Sequence, residues 1–363
     1  MSVNDQPPKD LAALGRWVVE FCRAKGFALA GVCRAEPTRF AAELDAWLAA
    51  GRHGSMDYLA TQAEIRKNPA LELPDVRSVI MVADQYADGS AEDPVPPGAG
   101  RVARYARGRD YHWFVKRRLH HLADALRPHW PGESFRTFVD TAPVLEREHA
   151  ARAGLGWVGK HTLMIHPERG SYLLLGGIFT TLEIAAGHPE VPIADACGSC
   201  TRCIDACPTA AITPYSVDAS RCIAYLTIEH RGLIDPAFHS AMGDWIFGCD
   251  ICQEVCPHNR PAGAAERPAN PEYRPRFGPL PIEDVLSWDD RSRTAALSGT
   301  AIKRARLEML KRNALIALGN AASRLGEAAV ADRLARVIED NAESPMVRET
   351  ARQVLAGLKQ AGR

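Results

Sequence analysis

Apolar and polar positions follow three different patterns along this chain. From Leu11 to Lys25 apolar residues recur at helical spacing, and the run stops at Gly26, a residue suited to a helix C-cap. FALAGVC (27–33) and SVIMVA (78–83) read as short buried strands, with helix-like segments between them around Phe40–Ala50 and Met56–Arg66. Trp113–Leu126 has helical spacing. FRTFVD (135–140) then reads as a strand, PVLEREHAARAG (143–154) as a helix and SYLLLGGIFTTLEI (171–184) as a long strand. Interleaving of this kind predicts an α/β domain over residues 1–185.

Regular patterning then stops. Residues 186–262 hold eight of the ten cysteines and leave little room for helices or strands. A Pro-rich linker runs from Pro261 to Pro281. Beyond Glu283 helical spacing returns in RLEMLKRNALIALGNA (306–321), AVADRLARVIED (329–340) and PMVRETARQVLAGL (345–358). Similar amphipathic units one after another suggest a HEAT-like all-α stack over residues 263–363; a plain helical bundle fits the same pattern.

The longest apolar stretch, Tyr172–Phe179, is too short to cross a bilayer, and MSVNDQPPKD lacks the apolar core of a secretory signal. A cytoplasmic protein with no membrane association is expected. In that reducing compartment ten cysteines point to metal binding before disulfides.

Cysteine spacing narrows the metal. Cys197-x2-Cys200-x2-Cys203-x3-Cys207-Pro208 is the bacterial ferredoxin run, in which three thiolates serve one cubane and the fourth crosses to another. Cys249-x2-Cys252-x3-Cys256-Pro257 repeats its last three positions, with Ile246 where the first would stand. Cys197, Cys200, Cys203 and the crossed Cys256 complete one [4Fe–4S] site. Cys249, Cys252 and the crossed Cys207 lack a ligand, and Cys222 is the unused cysteine of the region. Two zinc sites could also use eight thiolates, but the paired Cys-Pro endings favour a ferredoxin-like domain with two clusters. Cys22 and Cys33 read as small buried hydrophobes. Two clusters alone would make an electron carrier, which has no need of the long α/β domain in front.

RYARGRDYHWFVKRRL (104–119), FVDTAPVLEREHAARAGLGWVGKHTLMI (138–165), CGSCTRCIDACPTAAI (197–212), RCIAYLTIEHRG (221–232), FGCDICQEVCPHNR (247–260) and KRARLEMLKRNALIALGN (303–320) together resemble the epoxyqueuosine reductase family, cobalamin-dependent enzymes of tRNA queuosine synthesis. The chain departs from that family's usual residues at Glu254, His258 and Ala224. The resemblance implies a base-off cobalamin in the α/β domain, near one cluster. It implies electrons passing through the clusters to cobalt, and reductive removal of the epoxide oxygen of epoxyqueuosine in tRNA to give queuosine. Asp140 would be the proton donor, with a raised pKa; from pattern alone Asp140 or Thr141 could instead cap the helix starting near Pro143. Lys160, His161, Thr162 and Met164 would lie against the corrin, with Arg66, Tyr105, Asp140 and Asp250 as further cofactor contacts. No Asp-x-His-x-x-Gly motif is present, so His161 is not expected to ligate cobalt.

Formal net charge is zero, so contact with an acidic partner requires local patches. Arg101–Arg118 holds seven Lys or Arg and one Asp, and Arg291–Arg312 holds seven and one Glu. With the resemblance, Lys303, Arg304, Arg306, Lys311 and Arg312 are expected to contact tRNA, and the first run to mix cofactor and tRNA contacts. A monomer supplied by an external low-potential electron donor is expected. The rival readings are a reductive dehalogenase, which leaves the basic helical tail without a use, and a non-catalytic two-cluster electron carrier.

Overall fold

A computed structural model describes residues 7–92, 94–184, 193–260 and 268–361. The expected domain boundaries at 185/186 and 262/263 lie outside these residues. One four-stranded sheet runs in the order Leu29–Arg34, Ser78–Gln85, Leu173–Thr180, Phe135–Val139. Every neighbouring pair in it is antiparallel. The interleaved helices and strands are present, but the parallel sheet usual for that pattern is not.

The apolar run SVIMVA becomes a central strand buried at every position, because helices cover both faces. Ile80 and Val82 point into a core built with helices Leu11–Ala24 and Tyr111–Leu126, whereas Val79, Met81 and Ala83 pack with Ala150 and Leu155 on the opposite face. Gly176 lets the Tyr111–Leu126 helix approach the sheet closely: a Cβ there would meet Leu119 and Val115, each at 3.0 Å. That helix turns back through a short connection into Phe135–Val139 and packs against it. Its first turn therefore lies beside the far end of that strand, where Asp140 follows.

A second, three-stranded sheet joins regions that the sequence separates. Ala99–Val102 pairs in parallel with Trp245–Phe247, from the cysteine segment, and antiparallel with Leu280–Pro281. One apolar core extends from Leu14 to Val354.

In the C-terminal part, helices Leu307–Asn320 and Glu327–Glu339 both pack on Pro345–Ala361. Residues 309–318 of the first are buried all round, because the Trp245–Phe247 strand covers the side that the other helices leave. It is thus a central helix and not the exposed amphipathic one expected from its charges. Among the described residues no helix is long and apolar enough to cross a membrane.

Candidate functional site: two cysteine sets beside an acid-lined cavity

The two cysteine runs fold alike. Short helices Arg202–Asp205 and Ile251–Glu254 each carry one cysteine, Cys203 and Cys252, and pack on each other. In both, the Cys-Pro cysteine closes a turn, Cys207 N–H donating to Ile204 O at 3.2 Å and Cys256 N–H to Gln253 O at 3.1 Å. Cys256 and Cys197 belong to one apolar cluster with Trp157 and Ile165. Burial and the neighbouring Cys197, Cys203 and Cys200 push the Cys256 thiol up to about 11, despite a backbone hydrogen bond. Burial likewise raises Cys249, whose thiol neighbours are Cys222 and Cys207. Cys252 is raised well above its ordinary value by burial and by Cys249 and Cys222, and it also feels Cys203. Thiols of both runs thus lie within electrostatic reach of one another, Cys252 of Cys249, Cys222 and Cys203, and Cys256 of Cys197, Cys203 and Cys200. Such crowded, buried thiols resist ionisation unless a cation compensates them. Among the described residues no three His, Cys, Asp or Glu side chains close on one point that a single ion could occupy. Cys22 and Cys33 lie in the core, as expected for small hydrophobes.

Against this cysteine segment lies a cavity of about 250 Å³. Asp140, Tyr105, Tyr111, His112, Glu229 and Arg304 supply its polar wall. Ala224 and Tyr225, just after Cys222, and Phe247, just before Cys249, supply part of its apolar wall. Asp140 caps no helix: the following helix is Glu146–Arg152, preceded by Leu145 with no side-chain cap bond. Its carboxylate instead accepts a hydrogen bond from the Tyr111 hydroxyl and contacts His112 Nε2 at 3.2 Å, while 38% of the side chain stays exposed. The other ring nitrogen of His112 lies 2.8 Å from Asp110, the N-cap of helix Tyr111–Leu126, and Asp110 pairs with Lys303 at 3.0 Å.

This arrangement overturns the expected raised pKa of Asp140. Burial acts to raise it, but the hydrogen bond and charge of His112, with the Tyr111 hydrogen bond, hold the carboxyl below its ordinary value. Burial opposes charge on His112 too, yet the hydrogen bonds and charges of Asp110 and Asp140 outweigh it and push the imidazole up to about 9. The resting proton therefore sits on His112. Sequence reading missed His112 and Tyr111; the one local signal is an Asp two residues before a His at a helix start.

The other expected cofactor contacts divide. Arg66 Nε and His161 Nε2 are buried without a hydrogen-bond partner among the described residues. Both border the first turn of Glu146–Arg152: Arg66 feels Glu146, and His161 feels Arg147, which donates to Thr162 O at 2.6 Å. Burial holds the His161 imidazole down at about 4, hence neutral. Thr162 has a left-handed backbone, φ 66°. Tyr105 lines the cavity between Asp140 and Asp250 and feels both charges. Asp250 is buried, accepts Arg104 N–H at 2.7 Å, and is pushed up to about 6 by burial. Lys160 Nζ donates to Gly198 O at 2.6 Å and Cys200 O at 3.0 Å, and Met164 is buried in the apolar core.

The basic runs are also corrected in part. Lys311 and Arg312 are buried, Lys311 paired with Glu343 and Arg312 hydrogen-bonded to backbone carbonyls, so neither can face tRNA. Lys303, Arg304 and Arg306 keep side-chain exposures of 62%, 46% and 58%. In the first run Arg101, Arg104, Arg107, Arg109 and Arg118 each pair with an acid of another segment, while Arg109, Lys116 and Arg117 stay exposed.

The proton placement is directly measurable. His112 should titrate near pH 9 by NMR, and in Asp140→Asn it should fall by a unit or more. Because its folded pKa exceeds the unfolded value of about 6.5, the stability it contributes is complete below that value and is lost as pH rises through about 9. A His112 resonance titrating near 6.5 would remove the charged pair.

Comparison with known proteins adds the family. The model of a 4Fe-4S double cluster binding domain matches residues 196–259, and that of epoxyqueuosine reductase QueG, DUF1730, matches residues 66–141. The epoxyqueuosine reductase of Pseudomonas aeruginosa is 39% identical over 325 residues, covering 87% of this chain and 88% of that protein. That of Escherichia coli is 37% identical over 318 residues, covering 86% and 83%. A crystal structure of epoxyqueuosine reductase with an epoxyqueuosine-modified tRNA-Tyr stem loop superposes with TM-score 0.83 at 27% identity, covering 96% of this chain and 91% of that one. This chain belongs to the epoxyqueuosine reductase family.

Proposed function

We propose that this chain reduces epoxyqueuosine in tRNA to queuosine in the cytoplasm, as a monomer drawing on an external low-potential electron donor. One observation carries the reading: an accessible carboxylate, 3.2 Å from the His112 imidazole, faces a cavity whose wall includes residues flanking Cys222 and Cys249. Removing the epoxide oxygen as water takes two electrons and two protons. The cysteine segment would supply the electrons, and the Asp140–His112 pair beside it would supply a proton. Residues 186–262 act as the ferredoxin-like unit, and 263–363 as a HEAT-like tRNA-binding unit.

The eight thiols suit two [4Fe–4S] clusters, one on Cys197, Cys200, Cys203 and Cys256, the other on Cys207, Cys222, Cys249 and Cys252. Arg66, Tyr105, Asp140, Lys160, His161, Thr162, Met164 and Asp250 would hold a base-off cobalamin; Arg66 Nε and His161 Nε2, without hydrogen-bond partners among the described residues, suit the amide-bearing rim of a corrin. When bound, that group supplies the low-potential metal chemistry for carbon–oxygen cleavage. The protein's own residues handle the protons. Asp140, ionised at rest, would receive one proton from His112 and pass it to the departing oxygen; the second would come from solvent through the same pair, since both side chains are partly exposed. Asp110 keeps the imidazole oriented and charged, and Tyr111 fixes the carboxylate. Lys303, Arg304 and Arg306, on the rim beside the cavity, would meet tRNA phosphates.

The deciding experiment supplies cobalamin, a low-potential reductant and tRNA bearing epoxyqueuosine, then analyses nucleosides for queuosine; its absence refutes the activity. Asp140→Asn should keep fold and cofactors yet lose about 10²–10⁴-fold in turnover. A fully active Asp140→Ser would end the proton role. Anaerobically prepared protein should carry about eight iron, and Cys222→Ala should lose about four while Cys33→Ala loses none; full iron in Cys222→Ala refutes that ligand. Lys303→Ala with Arg306→Ala should weaken tRNA binding and flatten its log–log salt slope by roughly 0.7–0.9 per lost contact. An unchanged slope would move the tRNA surface elsewhere.

A further inference from the structure

We infer that Arg312 and Asn313, on the central C-terminal helix, are positioning residues for the cluster that Cys222 and Cys249 hold; the inference rests on the two-cluster reading above. Cys222 is the N-cap residue of the short helix Ile223–Ile228. The last carbonyls of any helix lack intrahelical partners. Here Arg312 donates to Leu226 O at 2.7 Å, to His230 O at 2.7 Å and to Gly232 O, so it grips both the helix end and the loop that follows. Asn313 Nδ2 donates to Thr227 O at 3.0 Å and to Ile246 O at 2.8 Å. Thr227 Oγ1 accepts Gly248 N–H at 2.9 Å and donates to Ile223 O at 2.8 Å. The stretch after Cys222 and the stretch before Cys249 are therefore tied to one another through Asn313 and Thr227, while Arg312 fixes the end of the helix that carries Thr227; Arg312 and Asn313 are both at 0% exposure.

The choice of residue supports a geometric role. Arg312's hydrogen-bond partners among the described residues are all carbonyl oxygens, three from the backbone and the Asn313 amide oxygen at 3.0 Å. Burial lowers the guanidinium to about 10, and it remains charged at neutral pH. A buried cation without a carboxylate is an unfavourable way to fill space, and an apolar side chain would pack there at less cost. What it provides is a rigid planar fork that fixes several carbonyls at once, which one lysine ammonium cannot reproduce. Lys311, its neighbour, is also buried but pairs with Glu343, apart from this tie.

The test compares anaerobically prepared full-length wild type, Arg312→Lys, Asn313→Ser and Lys311→Met. Iron and sulfide are counted, and reduced samples are compared by EPR with Cys222→Ala. Wild type and Lys311→Met should hold about eight iron. Arg312→Lys and Asn313→Ser should fall toward about four, keeping the first cluster, with the spectrum of Cys222→Ala. Asn313→Ser introduces no new buried charge and decides the matter if Arg312→Lys does not fold. Both variants keeping full iron, wild-type EPR and unchanged midpoint potentials while melting lower would mean a merely structural tie and overturn the inference. Loss of both clusters together in Asn313→Ser would overturn it too. Wild type with far fewer than eight iron would refute the two-cluster reading itself.

Discussion

A segment that must wrap thiols around metal cannot form long helices or strands, and its peptide groups must find partners elsewhere. That constraint organises this molecule. The second cysteine run is tied to the sheet through Gln253 and Asn259: Gln253 Nε2 donates to Ser171 O at 3.0 Å, Asn259 Nδ2 donates to Gln253 O at 2.7 Å, and Asn259 Oδ1 accepts Ser171 N–H. Tyr86 closes the network by donating to Gln253 Oε1 at 3.3 Å. Lys160 does the same for the first run through Gly198 and Cys200, and Arg312 with Asn313 for the stretch around Cys222. A buried network satisfied at every point fixes one arrangement, because each broken bond leaves a costly unpaired group. Gly170 is part of it: at φ 69° it lets Asn259 approach so closely that a Cβ would lie 2.1 Å from Asn259 Oδ1.

The same constraint explains why three regions that look separable in sequence share a core and a sheet. Ala99–Val102 can pair with Trp245–Phe247 only if the cysteine segment lies against the N-terminal part, and Leu280–Pro281 then brings the C-terminal helices to its other side. The cavity is a product of this convergence. Its acid comes from the end of an edge strand, its imidazole from a helix start, its cationic rim from the 301–304 turn, and its apolar wall from residues flanking Cys222 and Cys249.

Much of this was legible in the sequence wherever the signal was local. Strand and helix positions follow from apolar spacing, and the cysteine spacing pointed to the double cluster domain that the family model matches. What escaped depends on long-range pairing. SVIMVA is as apolar as a parallel strand because both its faces are covered, so composition could not reveal an antiparallel sheet. The lowered pKa of Asp140 depends on a histidine 28 positions earlier in the chain, brought near by a helix running back along the sheet.

Charge counting failed for a related reason. Arg312 and Arg306 look alike in a run of basic residues, yet one is fully buried and the other is largely in solvent. Helical spacing could have separated them only if the neighbours of the helix were known, since a helix enclosed on all sides has no solvent face. The exposed members still carry information, because their partners are acids of the site: Lys303 holds Asp110, and Arg304 holds Glu229 at 2.8 Å. A polyanion arriving at this rim would compete for those cations. Freed of Lys303, Asp110 would bear more of its charge on His112 and strengthen the imidazolium. The rim and the proton site are thus electrostatically joined through Asp110, and what binds at the edge of the cavity must alter how firmly the proton is held within it.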